Sequence, residues 1–67
     1  MPIIQVNLLA GRSEQVKAEL ADKITRAACE ALQARPESVR VLVQEYAEGE
    51  WFVAGKPLPG TSSPGKG

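Results

Sequence analysis

Ser38-Val39-Arg40-Val41-Leu42-Val43-Gln44-Glu45-Tyr46 is the stretch that decides the fold. It is rich in β-branched residues and alternates, with Val39, Val41 and Val43 on one face and Arg40, Leu42 and Gln44 on the other. That pattern predicts a strand. Upstream, Pro36 ends whatever helix precedes it, because the residue before a proline is pushed out of the helical region. The helix itself starts at Ser13, a natural N-cap, with Glu14 in the first turn where the helix dipole favours a carboxylate. It is expected to run to about Ala34, with Val16, Leu20, Ile24, Ala27, Ala28, Ala31 and Leu32 on one broad stripe and Asp22, Arg26 and Gln33 opposite. Further upstream, Pro2-Ile3-Ile4-Gln5-Val6-Asn7-Leu8-Leu9 reads as another strand, ending at Ala10-Gly11. Ile4, Val6 and Leu8 share one of its faces, and Ile3, Gln5, Asn7 and Leu9 the other. Strand, helix and strand between residues 2 and 46 make a single β-α-β unit, an α/β (α+β) fold of two parallel strands joined by a right-handed crossover.

Downstream, Glu48-Gly49 is a turn signal, and Trp51-Phe52-Val53 is a short apolar run suited to one arm of a C-terminal hairpin. From Pro57 the chain becomes rich in Pro, Gly and Ser. The expected organisation is a domain over residues 1–56 and a flexible tail over 57–67. No internal repeat is visible.

The chain has 67 residues, enough for one domain. A domain this small buries only about 60% of the surface its unfolded chain exposes. One helix covers one face of a parallel sheet, whereas such sheets need cover on both, and two strands leave two open edges. The uncovered face carries Ile3, Leu9 and Leu42 among polar groups. Edge-to-edge pairing followed by face-to-face stacking solves both problems, so a homo-oligomer is expected. Lys plus Arg is 8 and Asp plus Glu is 8, a balance that argues against nucleic acid as a partner. With one cysteine there is no internal disulfide. No apolar run approaches a membrane span and no signal peptide is visible, so a cytoplasmic protein is expected.

The chain contains no histidine, which removes Ser–His and Cys–His dyads, imidazole acid–base chemistry and histidine metal sites. What remains is smaller in number. Pro2 follows Met1 directly, and methionine is removed before small residues such as proline. The mature Pro2 nitrogen would be a secondary amine with an ordinary pKa near 7.7–8.0, lowered further by apolar burial and nearby cations, and so a good general base near neutrality. By itself Pro2 reads as the mere start of a strand. Arg12, in Gly11-Arg12-Ser13, offers a planar fork suited to a carboxylate, in a place where the helix dipole mildly disfavours a cation. Arg40 interrupts an apolar strand on the face away from the helix; if assembly buries that face, the guanidinium needs either an ion-pair partner or a ligand. Cys29 falls near Ala18, Asp22 and Thr25, roughly opposite the core stripe. It reads as a small apolar residue in a helix–helix contact between subunits. Glu45, Glu48 and Glu50 cluster around the turn and read as solvated charges.

Taken in order, Met1-Pro2-Ile3-Ile4, Leu9-Ala10-Gly11-Arg12-Ser13, Ser38-Val39-Arg40-Val41 and Glu45-Tyr46-Ala47-Glu48-Gly49 resemble the 4-oxalocrotonate tautomerase family, over roughly Pro2 to Gly55. The resemblance implies a β-α-β protomer in a hexamer, no cofactor, no metal, a small carboxylate substrate and a place in aromatic hydrocarbon catabolism. It implies that Pro2 shuttles a proton between oxygen and carbon in enol–keto tautomerisation of a 2-hydroxy-dienoate such as 2-hydroxymuconate. Arg12 would bind a remote carboxylate. Arg40, from a neighbouring subunit, would hold the 2-hydroxy or 2-oxo group and its adjacent carboxylate. Leu9 and Ser38 would contact substrate, and Trp51, where the family usually has phenylalanine, would keep the site apolar and the proline amine neutral. Phe52-Val53-Ala54-Gly55 departs from the family's glycine-rich stretch at this point. Two rival readings are a hydrolytic dehalogenase of the same superfamily, which needs a water-activating carboxylate such as Glu50, and a non-catalytic subunit of an oligomer.

Overall fold

The computed structural model describes residues 2–58. Strand β1 (Ile3–Leu9) leads into helix α1 (Glu14–Leu32), a 3₁₀ turn (Pro36–Ser38), β2 (Arg40–Tyr46), a second 3₁₀ turn (Glu48–Glu50), β3 (Phe52–Val53) and β4 (Lys56–Pro57). β1 and β2 pair in parallel along their whole length, from Ile3 beside Arg40 to Leu9 beside Tyr46. β3 and β4 form a small antiparallel hairpin. This is the expected β-α-β unit with its C-terminal hairpin.

The helix begins as its sequence predicts: the Ser13 hydroxyl accepts a hydrogen bond from the Val16 N–H at 3.1 Å. It closes earlier than expected, at Gln33, which adopts a left-handed φ of 55°, while Ala34 N–H donates to the Cys29 carbonyl at 3.2 Å. Ser38 lies in a 3₁₀ turn and not in a strand, because Pro36 presets the φ of the first turn residue. The Ser38 hydroxyl donates to the Arg35 carbonyl at 2.8 Å and locks that turn.

The side of α1 turned to the rest of the chain differs from the expected stripe. Lys17, Leu20, Ala21, Ile24, Thr25, Ala28 and Cys29 are half-buried, whereas Val16, Ala27, Ala31 and Leu32 are exposed. On this side the Lys17 ammonium stands 3.1 Å from Glu45 Oε1 on β2, beside Leu20, Ile24 and Ala28. Cys29 therefore sits against its own chain, and the exposed apolar strip is the Val16–Ala27–Ala31 edge. Ile4, Val6, Leu8 and Val41 are half-buried, and Val39, still 9% exposed, is the most buried residue among those described. The other sheet face is open, with Ile3 64% and Leu42 52% exposed. Burying a side chain of this size contributes about 1.5–3 kcal/mol, so covering this face is the main stabilisation left to the chain.

The hairpin turn, Ala54-Gly55, has φ of 56° and 78°, positive at both positions, as a tight two-residue connection matched to strand twist requires. Ala54 accepts a conformation that suits glycine or asparagine better. Pro57 and Leu58, assigned to the tail by composition, are tied into this hairpin: Pro57 lies opposite Phe52, and Leu58 N–H donates to the Trp51 carbonyl at 3.0 Å. The rest of the expected tail, 59–67, lies outside the described residues. No helix among the described residues is long and apolar enough to cross a membrane.

Two stability predictions arise here. Ala54→Gly relieves the left-handed strain and is expected to stabilise the protein by about 0.5 kcal/mol, after the entropy lost by glycine is subtracted. Gly11→Ala, at φ 125°, is expected to destabilise it by more than 1 kcal/mol, roughly the cost of strained backbone. Urea midpoints compare the two, and a stabilised Gly11→Ala protein would refute the assignment of strain.

The Lys17 pair yields a pH prediction. The hydrogen bond to Glu45 raises the Lys17 pKa above its ordinary 10.5, with the charges of Glu14 and Glu45 adding to this and partial burial opposing it. A raised folded-state pKa means that the stabilisation is complete below the unfolded value and is lost as pH climbs through the folded one. Denaturation across the alkaline range should show this loss in wild type and less of it in Glu45→Gln.

Candidate active site

The parallel register sorts the candidate residues into two groups. At the start of the strands, Pro2 is half-buried and its carbonyl accepts the main-chain N–H of Arg40 at 3.0 Å. The Arg40 guanidinium is exposed and donates through Nη1 to the Glu37 carbonyl at 2.7 Å. Ser38 stands in the turn that delivers Arg40 to its strand. This end holds a proline, a cation and a hydroxyl.

At the other end, Leu9 is half-buried, and the exposed Arg12 donates through Nη1 to the Leu9 carbonyl at 3.1 Å. Gly11, at φ 125°, makes the bend that brings Arg12 back over the strand end. Trp51 follows the second 3₁₀ turn and meets Tyr46 edge to face, at 6.0 Å between ring centres and 89° between planes. Six rises of about 3.3 Å separate Ile3 from Leu9, so the two groups stand roughly 20 Å apart on one chain. A single protomer therefore does not bring Pro2 and Arg40 together with Arg12, Leu9 and Trp51.

A groove of about 270 Å³ opens at this second end, lined by Asn7, Tyr46, Glu50, Trp51 and Phe52. Sequence reasoning reached only Trp51 among these as a substrate contact. Asn7 and Tyr46 lie on the open face of neighbouring strands, one diagonal step apart, and the Tyr46 hydroxyl donates to Asn7 Oδ1 at 3.1 Å. Their shared face was visible from alternation, but their pairing needed the register. The acidic cluster is not simply solvated. Glu45 is paired with Lys17, and Glu50 Oε1 accepts the Ala47 N–H at 3.0 Å while its own N–H donates to the Ala47 carbonyl at 2.9 Å. Glu50 is thus occupied in closing the turn, a poor position for the water-activating base that a hydrolytic dehalogenase requires. Among the described residues, no three His, Cys, Asp or Glu side chains cluster as metal ligands.

Half-buried Pro2 thus shares one strand end with Arg40 on a minimal β-α-β unit. Residues 2–59 match the tautomerase enzyme family. The chain is 45% identical over 64 residues to a probable tautomerase of Ralstonia nicotianae, covering 96% of this chain and 91% of that protein. It is 40% identical over 55 residues to a 2-hydroxymuconate tautomerase of Comamonas testosteroni, covering 82% and 87%. A heterohexamer 4-oxalocrotonate tautomerase from Chloroflexus aurantiacus superposes with a TM-score of 0.81 at 35% identity, over 85% of this chain and 92% of that one. The chain belongs to the tautomerase family, in its 4-oxalocrotonate tautomerase branch, and is an isomerase.

Proposed function

We propose that this enzyme ketonises a 2-hydroxy-dienoate such as 2-hydroxymuconate, without a cofactor, in a cytoplasmic homohexamer whose sites lie between chains. The observation that supports this reading is the parallel register, which puts Pro2 and Arg40 at one strand end and Leu9, Arg12 and Trp51 toward the other, so that a complete site would draw on more than one chain. Once Met1 is removed, the Pro2 nitrogen takes the proton of the 2-hydroxyl group. The electron pair moves along the conjugated chain, and the prolinium returns the proton to a carbon farther along it. Arg40 of a neighbouring subunit faces the 2-oxo group as negative charge gathers there, where a preorganised donor contributes most. Arg12 grips the remote carboxylate with its bidentate fork, and Leu9 and Trp51 keep water from the amine. Ser38 holds the turn that aims Arg40. The open face with Ile3 and Leu42 exposed is the surface on which other copies would pack.

Steady-state kinetics of 2-hydroxymuconate ketonisation by correctly processed proteins tests the roles. Pro2→Ala should lose roughly 10²–10⁴-fold in kcat, the usual range for a general base. Arg40→Ala should lower kcat, and Arg12→Ala should mainly raise KM, since it binds ground and transition states alike. Wild-type rates in Pro2→Ala would defeat the reading.

The shared site has its own test. Pro2→Ala and Arg12→Ala chains, unfolded together and reassembled, should form some sites with both native groups and recover a kcat/KM above that of either protein alone. Sedimentation equilibrium of the same samples should show hexamers. Activity no higher than the average of the parents would place each site within one chain.

A further inference from the structure

Arg12 is carried by the loop over residues 10–13, between β1 and α1. Gly11, at φ 125°, gives this loop a conformational freedom that other residues lack. The Arg12 side chain is exposed, and its own bond runs only to the nearby Leu9 carbonyl. A long side chain on a permissive loop loses freedom when it grips a ligand, which weakens binding. Ties that order the loop beforehand reduce that loss.

The loop has two such ties, and both end on neighbouring residues of β2. On the strand side, Ala10 N–H donates to the Tyr46 carbonyl at 2.8 Å. On the helix side, the Lys17 ammonium donates to Glu45 Oε1 at 3.1 Å, and the Lys17 main-chain N–H donates to the Ser13 carbonyl at 3.1 Å. Glu14 Oε2 stands 3.7 Å from the same ammonium. Lys17 thus couples the last residue of the loop to the strand. Its pair with Glu45 is shielded, with side chains 19% and 31% exposed, against 72% and 63% in Lys23–Glu19. Exposed pairs contribute little, whereas a charge-assisted bond out of water is among the stronger ones. Among the described residues it is the only ion pair that joins α1 to a strand. Glu45 stands beside Leu8 in the register, on the face turned to the helix. The pair therefore lies clear of the open face on which other copies would pack.

We propose that Lys17 is a positioning residue for Arg12: bound to Glu45, it fixes the start of α1 and the loop before it, and so sets the preference for a substrate with a second carboxylate. This rests on the proposed role of Arg12 in gripping that carboxylate.

The test is the ratio of kcat/KM for 2-hydroxymuconate to that for 2-hydroxypenta-2,4-dienoate, which lacks the remote carboxylate. Both rates come from one preparation of processed protein, so the ratio does not depend on how much of a variant is folded. Lys17→Met, which keeps an unbranched stem, should lower the ratio by about tenfold, below the roughly 10²-fold that a misplacement of about 1 Å can cost. The loss should appear in KM rather than kcat. Lys17→Arg should restore most of the ratio, and Glu45→Gln should show a smaller loss, since its amide oxygen still accepts the ammonium. Lys23→Met, which breaks an exposed pair on the same helix, should leave the ratio unchanged. In an Arg12→Ala background, Lys17→Met should lower the ratio no further. A fall with Arg12→Ala but none with Lys17→Met would overturn the positioning role and leave the tautomerase reading intact. An equal fall from Lys17→Met with and without Arg12 would also overturn it, because Lys17 would then act elsewhere. An unchanged ratio in Arg12→Ala would overturn the role of Arg12 and the proposal with it. Failure of both Lys17→Met and Glu45→Gln to fold would assign the pair to stability alone and overturn the proposal.

Discussion

One helix cannot cover two strands on both sides, and the rest of this protein follows from that constraint. α1 lies over Ile4, Val6, Leu8 and Val41, and no described side chain is fully buried, Val39 coming nearest. The opposite face presents Ile3, Leu42 and Arg40 outward. In the proposed assembly, a chain with so little interior of its own would draw stability from contact with other chains. The same shortage shapes the chemistry. Pro2 and Arg40 stand at one end of a seven-residue strand and Arg12, Leu9 and Trp51 belong to the other, so the fold separates what the proposed reaction needs close together. The proposed assembly on the open face would answer both needs at once.

Local devices hold the two strand ends in place. At the beginning, the Pro36–Ser38 turn, closed by the Ser38 hydroxyl, feeds Arg40 into β2 beside Pro2. At the far end, the bend at Gly11, the Lys17–Glu45 pair and the Glu50-closed turn surround the strand termini. The Lys17 pair lies on the side of α1 that meets the sheet and not on the exposed Val16–Ala27–Ala31 edge.

Much of this was legible in the sequence. Period-two alternation named both strands and their faces, Ser13 marked the start of the helix, and Pro36 marked its limit, because each signal is a local steric or hydrogen-bonding preference. The family resemblance was legible from Pro2, Arg12, Arg40 and the spacing between them, and the comparisons bear it out. What was not legible depended on contacts between distant residues. The helix stripe was placed too far toward Val16 and Ala31, since hydrophobicity alone gives Lys17 no reason to turn inward until Glu45 is beside it. Ser38 was taken for strand because β-propensity does not register a proline-led 3₁₀ turn. Asn7 and Tyr46 looked like ordinary outward residues until the register set them one diagonal step apart. The positive φ of Ala54 had no signal beyond its neighbour Gly55.

The separation of the two strand ends also bears on how such genes diverge. In a duplicated pair, a copy whose proline end decayed would still be kept for its arginine end, provided that the copies co-assemble. Each copy would then be free to vary at the end that the other supplies, and loss of either gene would silence both. Division of labour between paralogues is thus available to this fold at the cost of a few substitutions, without a new domain or a new interface.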